Sequence, residues 1–217
     1  MENWEGKTCP LCGSADNTAA TIGEKIYYFC RECDLAYLAA EFYPSSEKEK
    51  ERYLLHNNSL EDKGYVAMLE AFLERAVLPF VGQDVEALDF GCGPVPVLQV
   101  LLERKGIRTD IYDPYFASEL SPPGKRYGLI TCTEVLEHVQ APRSVWQFFC
   151  QRLQPGGILA AMTSFRSPWE QFARWWYRQD FTHVCFYSRQ TFRWIDQHYP
   201  LLLVFLDNKN TVVMRRA

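Results

Sequence analysis

Ala87-Leu-Asp-Phe-Gly-Cys-Gly-Pro-Val-Pro-Val-Leu98 reads as a buried strand, a glycine turn and the start of a helix. Residues 85–90 supply the apolar run of a central parallel strand. Gly91 and Gly93 carry no Cβ, so the backbone there can turn sharply and come close to a ligand. Pro94 and Pro96 suit the first turn of the next helix, where a missing N–H costs little. Such a turn offers free N–H groups and a positive helix end to a polar ligand. The dinucleotide fingerprint G-x-G-x-x-G is not met, because its third glycine would fall on Pro96.

Three features downstream give the turn its context. Asp113, in Asp110-Ile-Tyr-Asp-Pro114, falls at the end of the next predicted strand, 24 residues after Asp89. A carboxylate there can accept both hydroxyls of an adenosine ribose, as in other nucleoside-binding α/β folds. Tyr127-Gly-Leu-Ile-Thr-Cys-Thr-Glu-Val-Leu-Glu-His138 reads as a third buried strand running into a short helix. Leu153-Gln-Pro-Gly-Gly-Ile-Leu-Ala-Ala-Met-Thr163 closes a helix at Pro155-Gly-Gly157 and opens another strand. At these residues the chain resembles the class I S-adenosylmethionine-dependent methyltransferases. The D-x-G-x-G turn, acidic strand end, L-E-H segment and L-x-P-G-G strand start occur in that family's order over residues 61–217. The resemblance implies an α/β, doubly wound Rossmann-like sheet that binds S-adenosylmethionine over Gly91-Cys92-Gly93. Asp89 and Asp113 would then serve the cofactor, and Glu134 would contact its methionine end or the acceptor.

One departure from the family stands out. Between Asp113 and Tyr127 there is no room for the usual helix and a further full strand, and Ser121-Pro-Pro-Gly124 reads as a turn. This shortened strand 3 region leaves six strands or a rudimentary seventh. It also lacks the acidic residue with which many relatives contact the adenine amino group. Residues 201–206 and 211–214, joined through Asp207-Asn-Lys-Asn210, form a C-terminal antiparallel hairpin.

The eight cysteines fall into two groups. Cys9, Cys12, Cys30 and Cys33 make two C-x-x-C pairs separated by 17 residues, a spacing that suits a tetrahedral four-thiolate zinc site. Disulfides are the alternative, disfavoured in a reducing compartment. Metal would replace the core that so short a module can hardly build alone. Four thiolates close the coordination shell, so this zinc is structural. Cys92, Cys132, Cys150 and Cys185 are scattered singly and read as small buried apolar groups. The chain thus divides into a zinc-ribbon-like module at 1–42, a linker at 43–59 and a catalytic domain at 60–217. Replacing Cys30 should unfold the ribbon and leave much of the core.

Composition narrows the class. Hydrophobic residues at 47% and charged residues at 23% describe an ordinary globular chain, not a disordered one. A net charge of −4 supplies no global field for nucleic acid. Residues 1–40 carry three basic against six acidic side chains, a poor match for a phosphate backbone. No apolar run approaches the roughly 20 residues that span a bilayer, and the acidic start lacks a secretory pattern. Together these imply a soluble cytoplasmic protein without a membrane partner. Oligomeric state is not legible.

Residues 44–52 are densely charged and begin as a linker, although their alternation could support a solvated helix reaching Tyr53. Ser59 and Asp62 have the S-x-x-D spacing of a helix start, and Val66, Leu69, Phe72, Leu73, Ala76 and Val77 mark one helical face. In the methyltransferase fold this helix often borders the cofactor, which places His56 among the candidate cofactor residues. Trp169, Phe172, Trp175, Trp176 and Tyr177 have roughly helical spacing and read as a helix packed on the core. The segment Asp180-Phe-Thr-His-Val-Cys-Phe-Tyr187 resembles the D-x-x-H segment that borders the substrate opening in related methyltransferases.

The implied chemistry moves a methyl group from a sulfonium to a nucleophile, for which the protein supplies alignment and exclusion of water. His183 is the candidate base, with a midpoint near neutrality, and Glu134 joins it as a candidate catalytic group. The acidic chain and aromatic entrance favour a small-molecule acceptor. An RNA base, recognised through the ribbon, is the alternative within enzymes, and a non-catalytic adaptor is the alternative outside them.

Overall fold

Strong β-formers and apolar alternation in the sequence resolve into two sheets. The computed structural model describes residues 8–55, 58–119, 122, 124–166 and 168–217. In chain order the N-terminal part holds β1 (Asn17–Ile22), β2 (Lys25–Cys30) and β3 (Ala36–Leu38), then α1 (Ser46–Leu54) and α2 (Lys63–Phe72), the latter extended by a π turn at Leu73–Val77. The sheet domain follows with β4 (Glu86–Phe90), α3 (Val97–Arg104), β5 (Arg108–Tyr112) and β6 (Tyr127–Thr133). After these come α4 (Pro142–Arg152), β7 (Leu153–Met162), the single turn α5 (Trp169–Phe172), β8 (Cys185–Phe186), α6 (Arg189–His198), β9 (Leu201–Leu206) and β10 (Thr211–Arg216).

The larger sheet has the order β5-β4-β6-β7-β10-β9. Its first four strands are parallel, and β10 inserts antiparallel between β7 and β9. This is the six-stranded, Rossmann-like sheet with a terminal hairpin that the sequence implies. Among the described residues the 113–127 connection holds only an isolated bridge between Asp113 and Ala117. Period-2 alternation divides the core: Ala87, Leu129, Ala160 and Val213 face α2 and α3, while Leu88, Ile130, Ala161 and Val212 face Trp146, Phe149, Phe192 and Ile195 of α4 and α6. Both sheet faces are covered, as parallel strands require.

The smaller sheet has the order β1-β2-β3-β8. Its fourth strand comes from the 180–187 segment: Ala36 pairs with Phe186 and Tyr37 with Cys185. The N-terminal module therefore shares one apolar cluster with the catalytic sheet, running from Cys9 to Met214. Arg166 ion-pairs with Asp34 at 2.5 Å, the Ser188 hydroxyl donates to the same carboxylate, and Arg143 donates to the Leu11 carbonyl.

Three local expectations differ from the structure. Residues 46–54 form α1, the helix their charge alternation allowed, with Ser45 as its cap, but it is not simply solvated: Glu49 is buried and Arg52 grips Asp180 at 2.7 Å. The cap of α2 is Asp62 rather than Ser59, its carboxylate accepting the Gly64 and Tyr65 N–H groups. The 169–177 aromatics do not lie along one helix. Phe172 packs edge-on against Tyr27, Phe29 and Phe186 of the ribbon sheet, and Trp176 is 68% exposed. Among the described residues no helix is long and apolar enough to cross a membrane.

Candidate active site

The strand-end turn after β4 forms as its glycines require. Gly91 and Gly93 have φ of +82° and +68°, the left-handed region that a Cβ disfavours. They serve different ends. A Cβ on Gly91 would collide with Val135, whereas one on Gly93 would meet nothing within 4 Å. Gly91 is thus a packing glycine, and Gly93 borders open space.

That space is a cavity of about 1160 Å³ running from the glycine turn to the 177–183 segment. Asp89, Gly91, Cys92, Gly93, Asp113, Glu134 and His183 all line it. The sequence-derived cofactor and acceptor residues therefore meet in one chamber. His56 lies outside the described residues. Helix α1 contributes Ser46, Glu49, Arg52 and Tyr53 to the same wall, which the polar character of that segment did not announce.

Asp113 holds its own loop. Its Oδ2 accepts the Gly93 N–H at 3.1 Å, and its Oδ1 accepts those of Tyr115 and Phe116 at 2.8 and 3.2 Å. A carboxylate has about four acceptor positions, so roughly one remains. The two-hydroxyl grip expected from the sequence would need one of these backbone bonds to yield.

Asp89 is fully buried beneath the turn, where Thr131 donates to it at 2.9 Å. Burial pushes its carboxyl up to about 7, against the opposing hydrogen bond from Thr131. The folded state therefore binds a proton that the unfolded chain gives up near pH 4. This contribution to stability is complete below pH 4 and is lost as pH rises through 7. We expect chemical denaturation to show falling stability between pH 5 and 8, at most roughly 1.4 kcal/mol per unit, with a flatter profile in Asp89→Asn. Parallel profiles would show that Asp89 is not the group responsible.

Glu134 follows β6 at φ +53°, a strained conformation for a side-chain-bearing residue. The Tyr177 hydroxyl stands between it and Glu137, 3.0 Å from Glu134 Oε2 and 2.5 Å from Glu137 Oε1. Burial raises both carboxyls, and the nearby Glu137 raises Glu134 further. Glu137 and Tyr177 were not singled out as site residues in the sequence. The available signal was the E-x-x-E spacing around the strand end, whose two carboxylates meet at the Tyr177 hydroxyl.

His183 is buried but borders the cavity. Its Nδ1 lies 2.6 Å from the Tyr177 carbonyl, which marks Nδ1 as the protonated nitrogen and leaves Nε2 as the acceptor. Burial and the neighbouring His138 lower its pKa to about 3. The near-neutral midpoint expected from the sequence is corrected: the ring stays neutral throughout the physiological range. Asp180 braces the loop, accepting from Thr182 and Arg52.

Outside this chamber, Cys9, Cys12, Cys30 and Cys33 bring their sulfurs within 4.8 Å of one another. The Cys9–Cys33 and Cys12–Cys30 separations are 3.4 Å, near the roughly 3.8 Å implied by four ~2.3 Å bonds to a tetrahedral zinc. The donor set fits that metal. Cys132 and Cys185 are buried singly, as expected, while Cys92 and Cys150 are half-buried.

Known proteins agree with this architecture. Ubiquinone biosynthesis O-methyltransferases of Pectobacterium atrosepticum and Cronobacter sakazakii are 33% identical over 76 residues, 35% of this chain. The chain thus spans about a third of the length of these curated relatives. A chain from the Haloferax volcanii Trm112 activator–methyltransferase complex superposes with a TM-score of 0.52 at 12% identity, covering 79% of this chain and 95% of that one. Geranyl diphosphate C-methyltransferase of Streptomyces coelicolor, solved with S-adenosylhomocysteine, gives 0.50 at 13%, covering 76% and 84%. Residues 50–201 match the family described as methyltransferase domain, and the chain belongs to this family of class I S-adenosylmethionine-dependent methyltransferases.

Proposed function

We propose that this protein methylates a small-molecule acceptor bound in the chamber between the glycine turn and His183. The observation that carries the reading is the continuity of the cavity from Gly93 and Asp113 to Glu134 and His183. S-adenosylmethionine, when bound, supplies a methyl group on a sulfonium already activated for displacement. Gly93 leaves room for a ligand against the backbone, and Asp113 offers an acceptor position to ribose. Asp89 supports the turn from below. His183 and Glu134 form the acceptor wall: Nε2 orients the acceptor, and Glu134, hydrogen-bonded by Tyr177, lies within the same polar group. Arg52, Tyr53 and Trp176 lie along the remaining boundary and would restrict water. The names of the O-methyltransferase relatives support a small-molecule acceptor in place of RNA. The cysteine cluster holds a structural zinc that stiffens β2 and β3. A methyl-transfer screen of cell extract, fractionated into small molecules, RNA and protein, tests the acceptor class; label confined to RNA would overturn it.

The cofactor end has its own test. Calorimetry with S-adenosylmethionine should show Gly93→Val weakened by 100-fold or more. Its side chain would enter the chamber and also occupy a left-handed conformation costing roughly 1–2 kcal/mol. Asp113→Asn should lose about 1.5–3 kcal/mol of binding, the worth of charged hydrogen bonds. Unchanged affinity in both variants would refute the assigned site.

A further inference from the structure

The structure gathers a second group of metal-ligand types, distinct from the cysteine cluster. Glu137, His138 and His183 each offer a donor atom, and these atoms lie within 4.8 Å of one another. Three features make this more than a chance cluster. Both imidazoles are fixed through Nδ1 by main-chain carbonyls, His183 on Tyr177 at 2.6 Å and His138 on Thr182 at 3.1 Å. Such carbonyl–imidazole pairs set the tautomer and direct Nε2 toward a metal in known sites. Glu137 Oε2 is buried without a hydrogen-bond partner, which leaves a costly unsatisfied acceptor beside the two rings. The loop carrying His183 is also tied to the turn carrying the other two, because the Val184 N–H donates to the Glu137 carbonyl at 2.8 Å.

We propose that Glu137, His138 and His183 form a three-ligand site for one divalent transition-metal cation, open toward the cavity. Two imidazoles and one carboxylate select borderline cations such as Zn²⁺ or Co²⁺ over Mg²⁺ and Ca²⁺, which favour all-oxygen shells, and also admit the harder Mn²⁺. Metal–ligand distances of about 2.0–2.2 Å require the side chains to draw together from their present spacing. His138 Nε2 is already 3.9 Å from Glu137 Oε1. All three residues line the chamber assigned to the acceptor, so His183 Nε2 would orient the acceptor through the ion, whose open coordination positions would take one of its oxygens. The substrate class follows: a hydroxylated small molecule, methylated on oxygen. The metal site stands on side-chain placement alone; the substrate class rests on the methyltransferase reading given above.

Manganese separates this site from the ribbon, because thiolates prefer zinc to this harder cation. The zinc-replete full-length chain should be titrated with Mn²⁺ alone and free ion followed by electron paramagnetic resonance. One Mn²⁺ per chain is expected, with affinity reduced 10-fold or more in both His183→Ala and His138→Gln. Circular dichroism melts identify folded variants, and using both histidines covers the case in which one fails to fold. Absence of stoichiometric binding to the wild type, or equal binding by folded variants, overturns the site. This readout uses neither cofactor nor acceptor. Failure here with intact S-adenosylmethionine binding would refute the metal alone, whereas bound manganese without cofactor affinity would refute the methyltransferase reading.

Discussion

His183→Asn should lower turnover by about 100-fold, the scale of losing the alignment of a bound reactant. Cofactor affinity should scarcely change, because the proposed role of His183 is toward the acceptor and that of Gly93 and Asp113, on the same cavity, toward the cofactor. Asparagine can still donate to the Tyr177 carbonyl that now takes Nδ1, so the loop keeps its anchor while the cavity loses the second ring nitrogen. Steady-state kinetics beside calorimetry with S-adenosylmethionine makes the comparison. The wild-type rate should show no histidine step near neutral pH, because burial holds this ring down at about 3. A folded His183→Asn enzyme with full turnover would remove the residue from the chemistry.

Cys30→Ser should release the ribbon metal and lower the melting temperature of the whole chain. Structural zinc contributes on the order of 10–16 kcal/mol to small modules. Losing even about 3 kcal/mol of that would lower Tm by roughly 6–12 °C in a chain of this size. A single transition is expected, since Cys9, Cys30 and Cys33 belong to the same apolar cluster as Trp146, Phe192 and Met214. Elemental analysis with calorimetric melting reads both effects. A ribbon that melts separately, at a lower temperature than an unaltered core, would instead favour independent modules, as the sequence division at residue 42 has it.

What the sequence reveals is what local pattern dictates. The runs at 85–90 and 201–206 and the segment from Tyr127 become strands because they are largely apolar and bounded by turn residues. Ser188 caps α6 in a reciprocal box with Thr191, a local signal of the same kind. The failures share a cause as well. Helix α1 is too polar to read as a buried element, yet Glu49 is covered because the Tyr115 hydroxyl meets it at 2.5 Å. The aromatics from 169 to 177 carry helical spacing, but ribbon rings claim Phe172 and the carboxylate pair claims Tyr177. Tertiary partners decided these cases. Strand β8, two residues long, exists only because β3 lies beside it, and nothing in a two-residue run signals a partner so far away.

That pairing has a consequence for how the molecule is assembled. Strand β3 meets residues about 150 positions later in the chain. The entropy of closing so long a loop must be met before the contact returns any stabilisation. During synthesis the first 42 residues emerge early and can close around metal while their fourth strand does not yet exist. The hydrogen-bonded edge of β3 would stand exposed, a template for adventitious pairing, until residue 186 arrives. His183 is two residues from the start of that late strand. In refolding, metal uptake should therefore precede catalytic competence, with activity appearing only in the last kinetic phase.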